Sequence, residues 1–221
     1  MSAVVRFDAV RAPVHGDLVG GPWSFAVERG AFLALQAAPS VADTVMALCT
    51  GSAGPEEGDV EVLGERPASL PRFRRFALLR RMGVAFQREG LVSNLSLDEN
   101  LVMPLVFADG LAPARARAAA DEAIQELGLE AHRSRRPAAL TREARILAAL
   151  ARAALRRPDL LVLEHLTAGL PDALAARALA WCRSRSETIL VLVPGPSAAL
   201  DRLADAWLPP LNGPRDPGTQ A

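Results

Sequence analysis

The sequence predicts an α/β protein whose central parallel sheet carries helices on both faces. Three observations support this. Segments 159–164 (DLLVLE) and 188–193 (TILVLV) are continuously apolar over strand length, as expected of strands covered on both faces. Each is followed by helical spacing, at 172–185 and at 197–208, which is the order of a βαβ unit. The chain has 221 residues, half of them apolar and 23% charged, which is enough for a full core without staples.

The remaining elements follow in order. Segment 3–7 alternates loosely, 23–27 alternates again, and 31–36 (AFLALQ) is a continuous apolar strand. Gly16, Gly20, Gly21, Pro22 and Gly30 read as the turns between them. After AAPSVAD an apolar helix runs to Leu48 and stops at Gly51. A Gly/Pro/Glu loop leads to GDVEVLGE, an alternating strand with a turn. Segment 69–81 places Leu70, Phe73, Phe76 and Ala77 at helical spacing among arginines. MGVAF is a strand ending at Gln87, and apolar, capped segments continue to Phe107. The stretch 113–127 is an Ala-rich amphipathic helix stopped by Gly128, and Thr141 opens another that runs to Pro158. From Pro209 the chain is rich in Pro and Gly and is expected to be a disordered tail, 209–221.

Composition excludes several functions. The 25 basic and 25 acidic residues cancel, which argues against broad nucleic-acid binding. All 25 basic residues are arginine, so no lysine is available as Schiff base, general base or phosphate ligand. Cys49 and Cys182 lie far apart in apolar patterns and read as buried thiols. His15, His132 and His165 are scattered, and no metal site is expected. Trp23, Trp181 and Trp207 read as core anchors. The start lacks a signal pattern and no apolar run approaches a membrane span, so a cytoplasmic chain is expected.

Longer stretches carry a family resemblance. RRMGVAFQREGLVSNLSLDENLVMPL is similar to the Q-loop region of ABC transporter nucleotide-binding subunits, with Gln87 as its glutamine. ARAALRRPDLLVLEHLTAGL resembles the stretch from the signature helix through the Walker B strand to the D-loop. RLADAWL looks like the final helix of that family. The resemblance covers 4–208. It implies a P-loop NTPase-like fold: a parallel core, an N-terminal antiparallel β-subdomain and a helical subdomain at about 90–157, in one domain spanning 1–208. The Q-loop wording resembles the ATPase of MCE-associated phospholipid transporters of the Mla type.

The family's activity is Mg-ATP hydrolysis coupled to transport, and the residues that should support it are replaced. A phosphate loop reads GxxxxGK[ST], with backbone N–H groups and a lysine on the phosphates and a hydroxyl on magnesium. Here it reads QAAPSVADT. Gln36 and Val41 stand at the glycines, Pro39 removes a donor, and Ser40 lies between them. Ala42 stands at the lysine and Asp43 at the magnesium ligand, while Thr44 is retained. The signature is Leu140, Thr141, Arg142, Glu143 and Ala144 in place of LSGGQ. The Walker B pair is Glu164–His165, the D-loop aspartate position is Pro171, and the switch histidine falls on Pro194. The region of the adenine-stacking aromatic reads APV. For Gln87 a strand-end hydrogen bond and a retained ligand role are equally expected; Glu164 is expected to cap or hydrogen-bond to backbone, and His165 to be a packed or solvent-facing histidine.

The resemblance also implies partners: a membrane permease, and a second ABC-type subunit as homodimer or heterodimer. Segment 90–107 corresponds to the region that meets a permease. It keeps Leu91, Val92, Leu95 and Leu97 as docking candidates, beside the plainer reading of subdomain core. Because sites in this family are composite, a chain lacking both loop and signature spoils both sites of any pair. The reading is a subunit unable to hydrolyse ATP, acting as scaffold or regulator on a permease, possibly in lipid transport, and peripheral to the inner membrane face when bound. The alternatives are a weak ATPase using Glu164, His165 and Gln87, and an interaction protein without a permease.

Overall fold

The computed structural model describes residues 3–15, 18–211 and 213. Three strands open it: β1 (Ala3–His15), β2 (Leu18–Glu28) and β3 (Phe32–Ala37). Helix α1 (Pro39–Thr50), strand β4 (Glu57–Val62), helix α2 (Arg72–Arg80) and strand β5 (Met82–Ala85) follow. Three helices come next: α3 (Leu97–Phe107), α4 (Pro113–Leu127) and α5 (Arg142–Ala154). The chain then alternates through β6 (Leu160–Glu164), α6 (Asp172–Arg185), β7 (Ile189–Val193), α7 (Ala198–Leu203) and β8 (Ala206–Leu211).

The strands form two sheets. One has order β2-β1-β4 and is antiparallel; the other has order β5-β6-β7-β3-β8, with every pair parallel. The continuous apolar strands split by alternation onto two cores. Phe32, Ala34, Leu161, Leu163, Ile189 and Val191 face α3–α6. Leu33, Leu35, Leu160, Val162, Leu190 and Leu192 face α1 and the antiparallel sheet. Period-two side chains buried on both faces are the physical reason these runs contain no polar residue until Glu164.

Alanine allows α5 to lie close to the sheet: nine of its residues are buried, five of them within Ile146–Leu150. Its start is capped by Thr141, whose Oγ1 accepts from Ala144 N at 3.2 Å. Helix α3 begins with a full capping box between Ser96 and Glu99. Trp23 and Trp181 are buried, whereas Trp207 is half-buried and donates to Asp201.

Several expectations are corrected. The strands expected at 3–7 and 23–27 are longer, and Gly20, Gly21 and Pro22 lie inside β2. Gly16 lies outside the described residues. The helix expected over 197–208 ends at Leu203, because the chain turns back to add β8 beside β3. Pro209, Pro210 and Leu211 belong to that strand, so the expected domain boundary at 208 and the start of the tail fall inside it. An edge position tolerates proline, which lacks a ladder donor. The rest of the expected tail, apart from Gly213, lies outside the described residues. In α2 the buried residue is Leu78, while Phe73 and Phe76 face out.

Candidate functional site

In open parallel sheets ligands gather at the carboxyl ends of the strands. Here those ends belong to β5, β6, β7 and β3, and the topology brings most of the expected pocket residues to them. Gln36 pairs with Val193 and Glu164 with Leu192, and Pro194 follows at the end of β7. His165 N donates to Leu192 O at 2.8 Å. Gln87 N donates to Glu164 Oε2 at 3.1 Å.

The connection from β3 to α1 is a single residue, Ala38, which serves as N-cap. Helix α1 begins at Pro39, whose ring is preorganised for the first helical position. Ala42, Asp43 and Thr44 therefore lie inside the helix, where N–H groups run to carbonyls one turn back. Ala42 N donates to Ala38 O at 2.9 Å. Thr44 Oγ1 lies 3.0 Å from both Pro13 O and Ser40 O, which hold its one hydrogen. Ala42 is fully buried, whereas Asp43 is exposed and Ser40 half-buried.

Below this turn sits a buried pair. Glu164 is 1% exposed; its Oε1 has no hydrogen-bond partner. Burial pushes its carboxyl up to about 7; the Gln87 N–H opposes this and the nearby Asp43 charge reinforces it. His165 is buried with φ at 51°, and its Nε2 lies 3.1 Å from Ala37 O. A carbonyl only accepts, so Nε2 carries the hydrogen and donates. Burial holds the imidazole below its ordinary value, against the Ala37 carbonyl and Asp43, which favour the charged form. The neutral ring is thus fastened to the last residue of β3.

The signature residues start α5. Leu140 and Ala144 are buried and Thr141 caps the helix, while Arg142 and Glu143 are exposed. Arg142 lies against Gly169, where an added Cβ would be 3.1 Å from its guanidinium. Arg145 Nη1 donates to Leu140 O at 3.0 Å.

The docking candidates separate. Val92 is exposed, Leu91 and Leu95 are half-buried, and Leu97 is fully buried. Leu97 is therefore corrected from docking residue to core, as expected of the first residue of an amphipathic helix packed on α4 and α5. Sequence reasoning missed Asn100, which holds this loop. Its Oδ1 accepts from Val92 N at 2.7 Å, and its Nδ2 lies within 3.2 Å of the carbonyls of Val92, Leu95 and Ser96. The available signal was an asparagine at an apolar position one turn into a capped helix.

This arrangement is the fold and site layout of an ATP-binding cassette. The ABC transporter family model matches residues 43–168, more than half of the chain, and the chain belongs to this family. It is 30% identical to the methionine import ATP-binding protein MetN 2 of Enterococcus faecalis over 127 residues, covering 58% of this chain and 36% of that protein. The chain thus spans well under two thirds of that relative. Its fold resembles the bacterial ABC transporter cassette MJ0796, solved as a dimer, with a TM-score of 0.76 and 18% identity. That match covers 86% of this chain and 88% of the other. It also resembles cbiO1 of Clostridium perfringens, part of the transporter complex cbiONQ, with a TM-score of 0.77 and 16% identity, covering 96% and 85%. Among the described residues no helix is long and apolar enough to cross a membrane.

Proposed function

We propose that this chain is an ABC-type subunit that does not hydrolyse ATP and that acts as a scaffold or regulator on a membrane permease. The observation that supports this most is the one-residue turn before α1. A phosphate loop needs free N–H groups arranged around an anion; here Ala42 N is already bonded to Ala38 O. Mg-ATP, the substrate the family implies, does not fit these residues. The lysine position is a buried alanine, the hydroxyl of Thr44 is engaged, and Asp43 adds a negative charge. Each lost charge-assisted bond weakens binding by about 1.5–3 kcal/mol, roughly tenfold or more.

The weak-ATPase reading needs a base near the attacking water. His165 is a poor candidate, because the ring is buried and burial disfavours its protonated form. The permease reading is favoured by the exposed Val92 in segment 90–107. In a dimer of the family's composite kind, the loop and signature residues here would spoil both sites. The same reading carries one domain with a helical subdomain at about 90–157, and phospholipid as the cargo class suggested by the Q-loop resemblance.

The test is calorimetry with Mg-ATP up to millimolar concentration, beside a loop-intact relative, followed by capture of the permease from solubilised membranes. We expect no heat above dilution and co-purification of a permease. Micromolar ATP binding would overturn the pseudo-enzyme reading, and absence of any permease would leave the chain an interaction protein of another kind.

A further inference from the structure

A cavity of about 530 Å³ opens between α2, β5 and α5, at the opposite end of α1 from the turn at Ala38. Part of its wall is apolar: Leu79 and Val84 are half-buried there, and Phe86 is 43% exposed. The charged part is all of one sign. Arg75, Arg152 and Arg156 line the cavity, with no aspartate or glutamate among its described lining residues.

Two of the three arginines are engaged. Arg75 Nη1 donates to Gly51 O at 2.6 Å, and Arg156 pairs with Asp109 and donates to Arg80 O. Arg152 makes no hydrogen bond or ion pair with any described residue. Its Nη2 lies beside Gly90, where an added Cβ would be 3.4 Å away. The acids nearby are committed elsewhere: Glu89 lies 3.7 Å from Arg145, and Asp109 is taken by Arg156. Arg152 is half-buried, and burial holds its guanidinium below the ordinary arginine value.

An arginine stays charged at neutral pH, so a guanidinium drawn out of water calls for an anion. Its planar fork matches a carboxylate through two parallel bonds, and one unengaged fork suits one carboxylate. The apolar wall beside it suits a hydrocarbon body. The volume falls within the range of small-molecule sites, about 300–1,000 Å³.

We infer that this cavity binds a small amphiphilic carboxylate, with its head on Arg152 and its chain along Leu79, Val84 and Phe86. The site belongs to the isolated chain, so its test needs no partner protein and its outcome is separate from the reading above.

The experiment is calorimetric titration of the full chain with decanoate, supported by the thermal shift that the ligand produces. Acetate, decanol and decyl phosphate are run beside it. We expect decanoate to bind once per chain. Acetate lacks the chain and decanol lacks the charge, so each should bind roughly tenfold more weakly or worse. Arg152→Gln should weaken decanoate roughly tenfold or more and leave decanol unchanged. Phe86→Ser should weaken decanoate and decanol alike, severalfold. Arg202→Gln, an equal charge change at an exposed position of α7, should alter neither. Arg152 has no partner to lose, so Arg152→Gln should melt no lower than the wild type. Decanoate affinity unchanged in Arg152→Gln, or equal affinities for decanol and decanoate, overturns the inference. So does the absence of both heat and thermal shift with decanoate. Decyl phosphate binding tighter than decanoate by roughly tenfold assigns the head to a phosphate and overturns the carboxylate. A wild type that melts well above Arg152→Gln would give the guanidinium a partner within the chain and overturn the inference as well.

Discussion

At the carboxyl ends of the strands most polar groups engage one another, with Glu164 Oε1 the exception. Ala42 N binds Ala38 O, Thr44 binds Pro13 and Ser40, and His165 binds Ala37. On the α2–α5 face the opposite holds: Arg152 has no partner among the described residues, and Phe76, Phe86 and Phe107 stand in solvent. A site that awaits a ligand leaves donors free, whereas a closed one uses them. By that criterion the open region of this molecule is the cavity between α2, β5 and α5 lined by Arg75, Arg152 and Arg156, and the turn before α1 is closed.

The strongest way to break this contrast is Ala42→Lys, which restores the residue type a phosphate loop requires. Position 42 is fully buried and helical, so the new ammonium is withdrawn from water. The variant should lose about 3 kcal/mol in urea unfolding, the scale of an uncompensated buried charge. Millimolar Mg-ATP should not recover it. Recovery of more than about 1 kcal/mol would mean that the nucleotide opens the first turn of α1, since a ligand stabilises only the state it binds.

Asn100→Ala tests the open side with a smaller effect. It removes the side chain that bonds Val92 N and the carbonyls of Val92, Leu95 and Ser96. Leaving those backbone groups unmatched should cost about 2–3 kcal/mol. Hydrogen exchange should locate the loss in the loop before α3. Protection there equal to wild type would show that water replaces the asparagine.

The legible part of this molecule was its sheet. Segments 159–164 and 188–193 cannot hide a polar side chain on either face, so their burial was readable from residue types alone. The closed turn was also written in the sequence, as Pro39 at a helix N1 position, but the family pattern assigns these residues to a nine-residue loop. Strand β8 was misread because AWLPPL has neither clean alternation nor helical spacing; pairing with β3 decides it, and pairing is not local. Phe73 and Phe76 share spacing with a core face, yet the sheet takes Leu78 from α2 instead. Arg152 was invisible as a site residue, since what distinguishes it is the lack of a partner among the described residues. That is a property of the fold.

Glu164 gives the contrast a pH dependence. The unfolded carboxyl titrates near 4.5 and the folded one near 7, so between these values the folded state holds more protons. Stability is therefore full below 4.5 and falls as pH rises towards 7. Glu164→Gln keeps an acceptor for Gln87 N and removes the charge. At pH 8 it should stabilise the fold by on the order of 2 kcal/mol, and at pH 4 by almost nothing. Denaturant midpoints across this range check the sign. A variant that destabilises at pH 8 would mean that the carboxylate has a partner in solution, such as a cation, and that the closed end is less closed than its hydrogen bonds indicate.

Phe107→Ser should have the smallest effect on the fold and is the sharpest test of the open side. Phe107 ends α3 and is 76% exposed, so little of its ring is withdrawn from water on folding. Stability scales with area buried, and an exposed substitution falls within about 0.5 kcal/mol. Leu97, at the other end of the same helix, is fully buried; Leu97→Ala should cost about 2–5 kcal/mol. The two substitutions should therefore order oppositely in two assays. Leu97→Ala lowers the urea midpoint, whereas Phe107→Ser leaves it in place and weakens permease capture severalfold. If Phe107→Ser lowered the midpoint and spared capture, the ring would belong to the fold, and the exposed end of α3 would lose its claim to a partner.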